Sequence, residues 1–276
     1  MADDSAADMA EPFAPSSERF DEVFTDVAAG RVANELFDQV MGPFPSQVEP
    51  FSLVTREGLE RVLLELQLEP DDHLVDLCCG RGGIGLWFAH ESGARLTGVD
   101  FSPQAISEAK RRAQLFVAEG RASFVVADAS ETSLERQSAD AVVCIDALQM
   151  LPDREAALRE AGHLLRGDGR IVITTWEADE SPEGRTPLPD VGRLVEAAGL
   201  RLLLREEHSE WNARMVQLYE RAIAADSDDA EPAVRSLAKE GRAVLPRIPQ
   251  LRRVLVVATE RDVNDSTREA LAEAAR

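Results

Sequence analysis

The chain has 276 residues, 29% of them charged and 44% hydrophobic, enough to bury a full core in one large α/β domain or in a core with an added cap. Lys plus Arg number 30 against 51 Asp plus Glu, a formal net charge of −21. A surface this acidic repels phosphate backbones and anionic lipid, so neither a nucleic acid nor a membrane is expected as partner.

Residues 1–16, rich in Ala, Asp, Pro and Ser, read as a disordered acidic leader. No Lys or Arg precedes Ser17, so the basic start of a secretory signal is missing and a cytoplasmic protein is expected. From Glu18, Phe20, Val23, Phe24 and Val27 share a helical face that Gly30 ends. A second helix carries Val32, Leu36, Phe37, Val40 and Met41 and stops at Gly42-Pro43, with loop from Phe44 to Phe51. A third, from about Thr55 to Leu66, carries Leu59, Val62, Leu63 and Leu66. Residues 17–70 thus form an expected helical lid. Its apolar faces are open to two readings, packing on a cap or pairing in a homodimer.

After Pro70, short apolar strands alternate with amphipathic helices. Strands are predicted at 73–78, 95–100, 122–127, 141–146, 170–175, 201–206 and 253–259, with helices between the first five. The pattern predicts an α/β fold, a Rossmann-like seven-stranded doubly wound parallel sheet whose core spans 71–208. Residues 209–251 read as a helical cap inserted before the last strand. There Trp211, Met215, Leu218, Tyr219 and Ile223 share one face, Asp226-Ser-Asp-Asp breaks it, and a second helix runs from about Glu231 to Val244. Residues 252–276 supply the last strand and a peripheral C-terminal helix. Cys78, Cys79 and Cys144 form neither a C-x-x-C nor a Cys/His cluster, so reduced thiols are expected, without metal or disulfide framework.

The chemistry concentrates in Leu74-Val-Asp-Leu-Cys-Cys-Gly80-Arg-Gly82-Gly83-Ile-Gly85. A strand, a glycine-rich turn and a helix bring backbone close to a nucleotide-like ligand, because glycine supplies φ freedom and no obstructing Cβ. Gly80, Gly82 and Gly85 satisfy G-x-G-x-x-G, and Asp100 lies 20 residues past Gly80, which taken alone suggests NAD. Three details oppose NAD. Asp76 at the strand end would repel a pyrophosphate at the helix N-terminus. The turn is longer than the dinucleotide turn, and another acid, Asp128, ends the third strand. Three acids at successive strand tips suit a ligand with an amine near Asp76, a ribose diol near Asp100 and an adenine amino group near Asp128. Any one of them alone reads as well as a helix N-cap.

These residues resemble the class I S-adenosylmethionine-dependent methyltransferases, over about Val54 to Thr175, and more loosely the bacterial enzymes of specialised metabolism. The family's acid-x-Gly-x-Gly-x-Gly motif appears as Asp76-Leu-Cys78-Cys79-Gly80-Arg-Gly82, with Cys78 in place of the first glycine. The resemblance implies that Asp100 holds the ribose hydroxyls, that Phe101 lies against the adenine, and that Ala127, Asp128 and Ala129 contact it. It also makes Ile145-Asp146-Ala-Leu-Gln149 the fourth-strand motif, with Ile145 and Gln149 beside the cofactor, and Leu164 to Arg170 the turn before strand five. The cofactor implied is S-adenosyl-L-methionine, with no metal. The fourth strand lacks the Asn/Asp-Pro-Pro-aromatic run of amino-methylating DNA enzymes, and no cysteine follows a proline as in cytosine C5 enzymes. A small, apolar acceptor methylated on O, N or C is expected.

In-line methyl transfer depends first on alignment, and a base helps where the acceptor must lose a proton. Asp146 at the end of strand four and His208 at the end of strand six are the candidate bases; each has a structural reading too, a loop-ordering carboxylate and a satisfied histidine. Trp176 and Glu177 follow strand five, and Trp211, Tyr219, Phe20 and Phe24 on the capping elements are candidates, with Asp146, to wall the acceptor pocket. Core packing is the competing reading of each aromatic. A protein of this fold that binds the cofactor without transferring methyl, cyclase-like or a scaffold, is the alternative function.

Overall fold

The computed structural model describes residues 31–43, 52–178 and 189–261. The leader, the helix expected over 18–30 with Phe20 and Phe24, the loop 44–51 and the C-terminal helix after Asp262 lie outside the described residues. Runs rich in Val, Ile and Leu, punctuated by Gly and charged residues, form seven strands: β1 (His73–Leu77), β2 (Arg95–Asp100), β3 (Ala122–Val126), β4 (Ala139–Ile145), β5 (Leu165–Ala178), β6 (Leu200–Glu207) and β7 (Leu251–Glu260). The helices are α1 (Arg31–Met41), α2 (Arg56–Leu66), α3 (Gly83–Ser92), α4 (Pro103–Phe116), α5 (Arg154–Leu164), α6 (Val191–Ala197), α7 (Ser209–Ala225) and α8 (Pro232–Val244).

The strands form one sheet in the order β3-β2-β1-β4-β5-β7-β6. Pairings among β1 to β5 are parallel, whereas β7 runs antiparallel to both β5 and β6. The sheet is therefore mixed: the parallel arrangement expected from the alternation holds for β1 to β5, and β7 departs from it. The chain leaves β6, passes through α7 and α8, and re-enters at the same edge, so β7 must run back. Leu165 pairs with Ala139, which draws the Gly167-Asp-Gly turn into a longer β5 than predicted. The seven-residue α6 was not anticipated, being too short to show a helical period.

Both faces of the sheet are covered, which is why its central strands are almost continuously apolar. Ala141, Val143 and Ile145 of β4 join Val172, Leu255 and Val257 beneath α2, α3 and α4. Val142 and Cys144 point the other way, to Ile171, Ile173, Val254 and Val256 beneath α5 and α6. A third cluster joins Val40 and Met41 of α1 to Met215, Leu218 and Tyr219 of α7, Leu237 of α8 and Trp176 of β5. Among the described residues, no helix is long and apolar enough to cross a membrane. The strand order reverses between β1 and β4, and a sheet of this kind takes its ligand at the carboxyl edge of that switch point.

Candidate cofactor and acceptor site

Beyond β1 the backbone turns through left-handed conformations at Cys78 (φ 59°), Gly80 (φ 51°) and Gly82 (φ 75°) before α3 begins. Cys78 adopts a conformation that costs a side chain about 1–2 kcal/mol, the physical reason a glycine is usual there. The Asp76 carboxylate turns in under the first turn of α3. A Cβ on Gly85 would stand 2.4 Å from Asp76 Oδ2, so only glycine admits this approach. The Gly85 amide donates to the carboxylate. Asp100 is held from two sides: Gly80 N donates to Oδ2 (2.8 Å) and Ser102 N to Oδ1 (2.9 Å). Ser102 also caps α4 by accepting from Ala105 N (2.9 Å).

Asp76 and Asp100 are both buried, at 4% and 5% exposure. Burial, and secondly the charge of Asp100, push the Asp76 carboxyl up to about 8, against the Gly85 N–H that pulls it down. A hydrogen bond with Cys144, then burial, raise the Cys78 thiol well above its ordinary value, and burial above all does the same to Cys79. Both thiols stay protonated near neutrality and are poor nucleophiles.

Phe101 follows at the end of β2 with 40% of its surface exposed, one of few large apolar side chains left open among the described residues. Ala127 N donates to the Asp100 carbonyl (3.0 Å), which sets the residues after β3 beside it. Asp128 is exposed, and its Oδ1 accepts from Ser130 N (2.7 Å) and Ser130 Oγ (2.5 Å), a local turn contact. Ala129 is buried. Two repelling buried acids, backbone that a Cβ would block, and an open aromatic ring fit an adenosine derivative carrying positive charge.

On the other side of the switch point, Gln149 Nε2 donates to the Asp146 carbonyl (2.6 Å) while its Oε1 accepts from Thr175 Oγ1 (2.8 Å), tying the turn after β4 to β5. Ile145 is buried at the end of β4. Asp146 itself is ion-paired with Arg253 of β7, whose Nη2 lies 2.7 Å from each carboxylate oxygen. Oδ1 also accepts from Thr174 Oγ1 (3.0 Å), and Oδ2 from Leu53 N (2.9 Å) and Ser52 Oγ (3.2 Å). A carboxylate offers about four lone-pair sites, so these five contacts leave no vacant direction toward an acceptor proton. The geometry is that of the loop-ordering carboxylate and not of a free base.

Arg253 is fully buried, its guanidinium 5.4 Å from the Trp176 ring and 5.7 Å from that of Trp211. Sequence reading missed it, although Arg252-Arg253 opening an otherwise apolar strand is a legible signal, since a buried arginine requires a partner. Adjacent strand residues face opposite ways, and the two arginines serve one carboxylate on each face. Arg252 reaches Glu177 at 3.7 Å. Glu177, wholly buried, also binds Arg205 and accepts from Val191 N (2.9 Å). It therefore sits on the α6 face, opposite to Trp176.

Trp176, Trp211 and Tyr219 are 6%, 2% and 0% exposed, so they pack as core. Tyr219 Oη donates to Glu240 Oε1 (2.8 Å). His208 stacks on Trp211 at 4.0 Å, with Nδ1 2.6 Å from Glu210 Oε1. His208 stacks on Trp211 while Asp146 pairs with Arg253, so the two candidate bases are held by different partners. The structure does bring Asp76, Cys78, Gly80, Gly82, Asp100 and Phe101 around one loop, with Ala127, Asp128 and Ala129 on one flank and Ile145 and Gln149 on the other.

Fold and glycine turn together resemble those of the class I S-adenosylmethionine-dependent methyltransferases. Residues 74–169 match the family described as a methyltransferase domain. Methyltransferase GfsG of Streptomyces halstedii is 29% identical over 48% of this chain and 47% of its own length. The 27-O-demethylrifamycin SV methyltransferase of Amycolatopsis mediterranei is 30% identical over 45% of this chain and 46% of its own. The matches to these two relatives thus span about half the length of each. Among solved structures, the [4+2]-cyclase SpnF superposes with a TM-score of 0.69 at 20% identity, covering 90% of this chain and 97% of that one. Over residues 74–169 the chain is similar to the methyltransferase-domain family, and over most of its length it shares the fold of that solved structure.

Proposed function

We propose that the protein transfers a methyl group from S-adenosylmethionine to a small, apolar acceptor of specialised metabolism. The observation that carries this is the run of acids at neighbouring strand tips, Asp76, Asp100 and Asp128, around a loop that needs glycine at position 85. Asp76 would face the ligand's ammonium, Asp100 its ribose diol, and Phe101, Ala127, Asp128 and Ala129 its adenine; Cys78, Gly80 and Gly82 would form the backbone cradle, with Ile145 and Gln149 beside it. When bound, the sulfonium supplies an already activated methyl. The chain then has to hold the acceptor in line with it, and alignment alone accounts for a large share of such rate enhancements. Asp100→Ala is expected to abolish S-adenosylhomocysteine binding in calorimetry; retained micromolar affinity overturns the ribose assignment. Incubation with S-adenosylmethionine and a panel of phenols, amines and enolisable ketones, read by S-adenosylhomocysteine release, tests transfer.

The saturated hydrogen bonding of Asp146 favours a second reading, a cofactor-binding protein without methyl transfer, as the likeness to a cyclase illustrates. Tight cofactor binding without product release across the panel and a cell extract supports that reading.

A further inference from the structure

The Asp146–Arg253 pair does more than neutralise two buried charges. It grips one short backbone segment by both of its polar groups: Leu53 N donates to Asp146 Oδ2 (2.9 Å), and Leu53 O accepts from Arg253 Nη1 (3.4 Å). Ser52 Oγ donates to the same carboxylate oxygen (3.2 Å) and accepts from Val54 N (3.0 Å). Two residues later Thr55 caps α2, its side chain accepting from Gly58 N (3.1 Å). One ion pair therefore sets the start of α2 against the ends of β4 and β7, immediately beyond Ile145. Replacing a buried ion pair by apolar residues is often neutral for stability, so stability alone does not explain one here. The position imposed on Ser52–Leu53 does.

We propose that Arg253 and Asp146 are positioning residues, a buried clamp that fixes Ser52–Leu53 as a wall beside the reacting end of the cofactor site. Asp146 then contributes to transfer by holding this wall and not by taking a proton. The kinetic part of the test rests on the proposed methyl transfer; the exchange part does not.

Amide hydrogen exchange at Leu53, S-adenosylhomocysteine calorimetry and, with an acceptor from the panel, kcat and KM are measured for Arg253→Met, Arg253→Lys and Asp146→Asn. Leu53 exchange is expected to accelerate about tenfold or more in Arg253→Met and Asp146→Asn, because the opening of that segment no longer breaks the clamp. Cofactor affinity is expected to stay within about threefold, since the loop is untouched, while kcat falls about tenfold to a hundredfold through misalignment. Arg253→Lys, which keeps one charged donor, recovers part of the loss. Unchanged Leu53 exchange, wild-type kcat in Asp146→Asn, or cofactor affinity lost in step with kcat overturns the clamp. Should Arg253→Met fail to fold, Asp146→Asn and Arg253→Lys give the same readings. An empty panel counts against methyl transfer and leaves the exchange result to decide the clamp.

Discussion

Asp76 carries an electrostatic conflict beneath the glycine turn, because burial and Asp100 raise its carboxyl from 3.8 to about 8. The folded protein thus holds this proton more tightly than the unfolded chain does. Between pH about 4 and about 8 the native state binds the extra proton, so stability falls as pH rises, by up to about 1.4 kcal/mol per unit. Asp76→Asn is expected to flatten that dependence and to raise the urea midpoint at pH 8 above wild type, while S-adenosylhomocysteine binding is lost. A lower midpoint in the variant would remove Asp76 as the source of the slope. The acids at 76, 100 and 128 were legible because each lies at or just past the end of a strand and the first adjoins a glycine turn. The Asp146 contacts were not, since Arg253 lies 107 positions away in sequence and only the sheet order brings them together. For Trp211 and Tyr219 the sequence left core packing and an acceptor wall side by side, because helical spacing marks a buried face but does not say whether a ligand or a strand covers it.

At the level of elements, two glycines set how helices dock. A Cβ at Gly85 would strike Asp76, so Gly85→Ala is expected to weaken S-adenosylhomocysteine binding at least about tenfold while costing about 1–3 kcal/mol in denaturant unfolding. Unaltered affinity would mean that the approach of α3 to Asp76 does not matter for the ligand. At Gly58 a Cβ would meet Val54 at 2.6 Å and the Trp211 ring at 2.9 Å, because α2 lies directly on the first turn of α7. Gly58→Ala is expected to cost a similar about 1–3 kcal/mol by overpacking, with cofactor affinity unchanged. Strand and helix positions were largely readable from periodicity and punctuation. The direction of β7 was not, because an apolar run looks the same read as a parallel or an antiparallel strand.

For the molecule as a whole, ligand linkage tests the fold-level reading. S-adenosylhomocysteine at about 100 times its Kd stabilises the native state by about 2.7 kcal/mol, which for a chain of this size moves Tm by about 5–10 °C. NAD is expected to give no shift; a shift with NAD alone would restore the dinucleotide reading that the strand-tip acids oppose. The topology has a corollary as well. Glu207 and Val254 are paired neighbours across β6 and β7, yet α7 and α8 lie between them in sequence. The polypeptide departs from and returns to adjoining rungs of a single ladder, so that excursion works as a turret. A change of its length at the break after Ala225 would leave every strand's register in place, whereas its inward face is tied to the rest of the fold, through Trp211 against Gly58 and through Met215, Leu218 and Tyr219 in the third cluster.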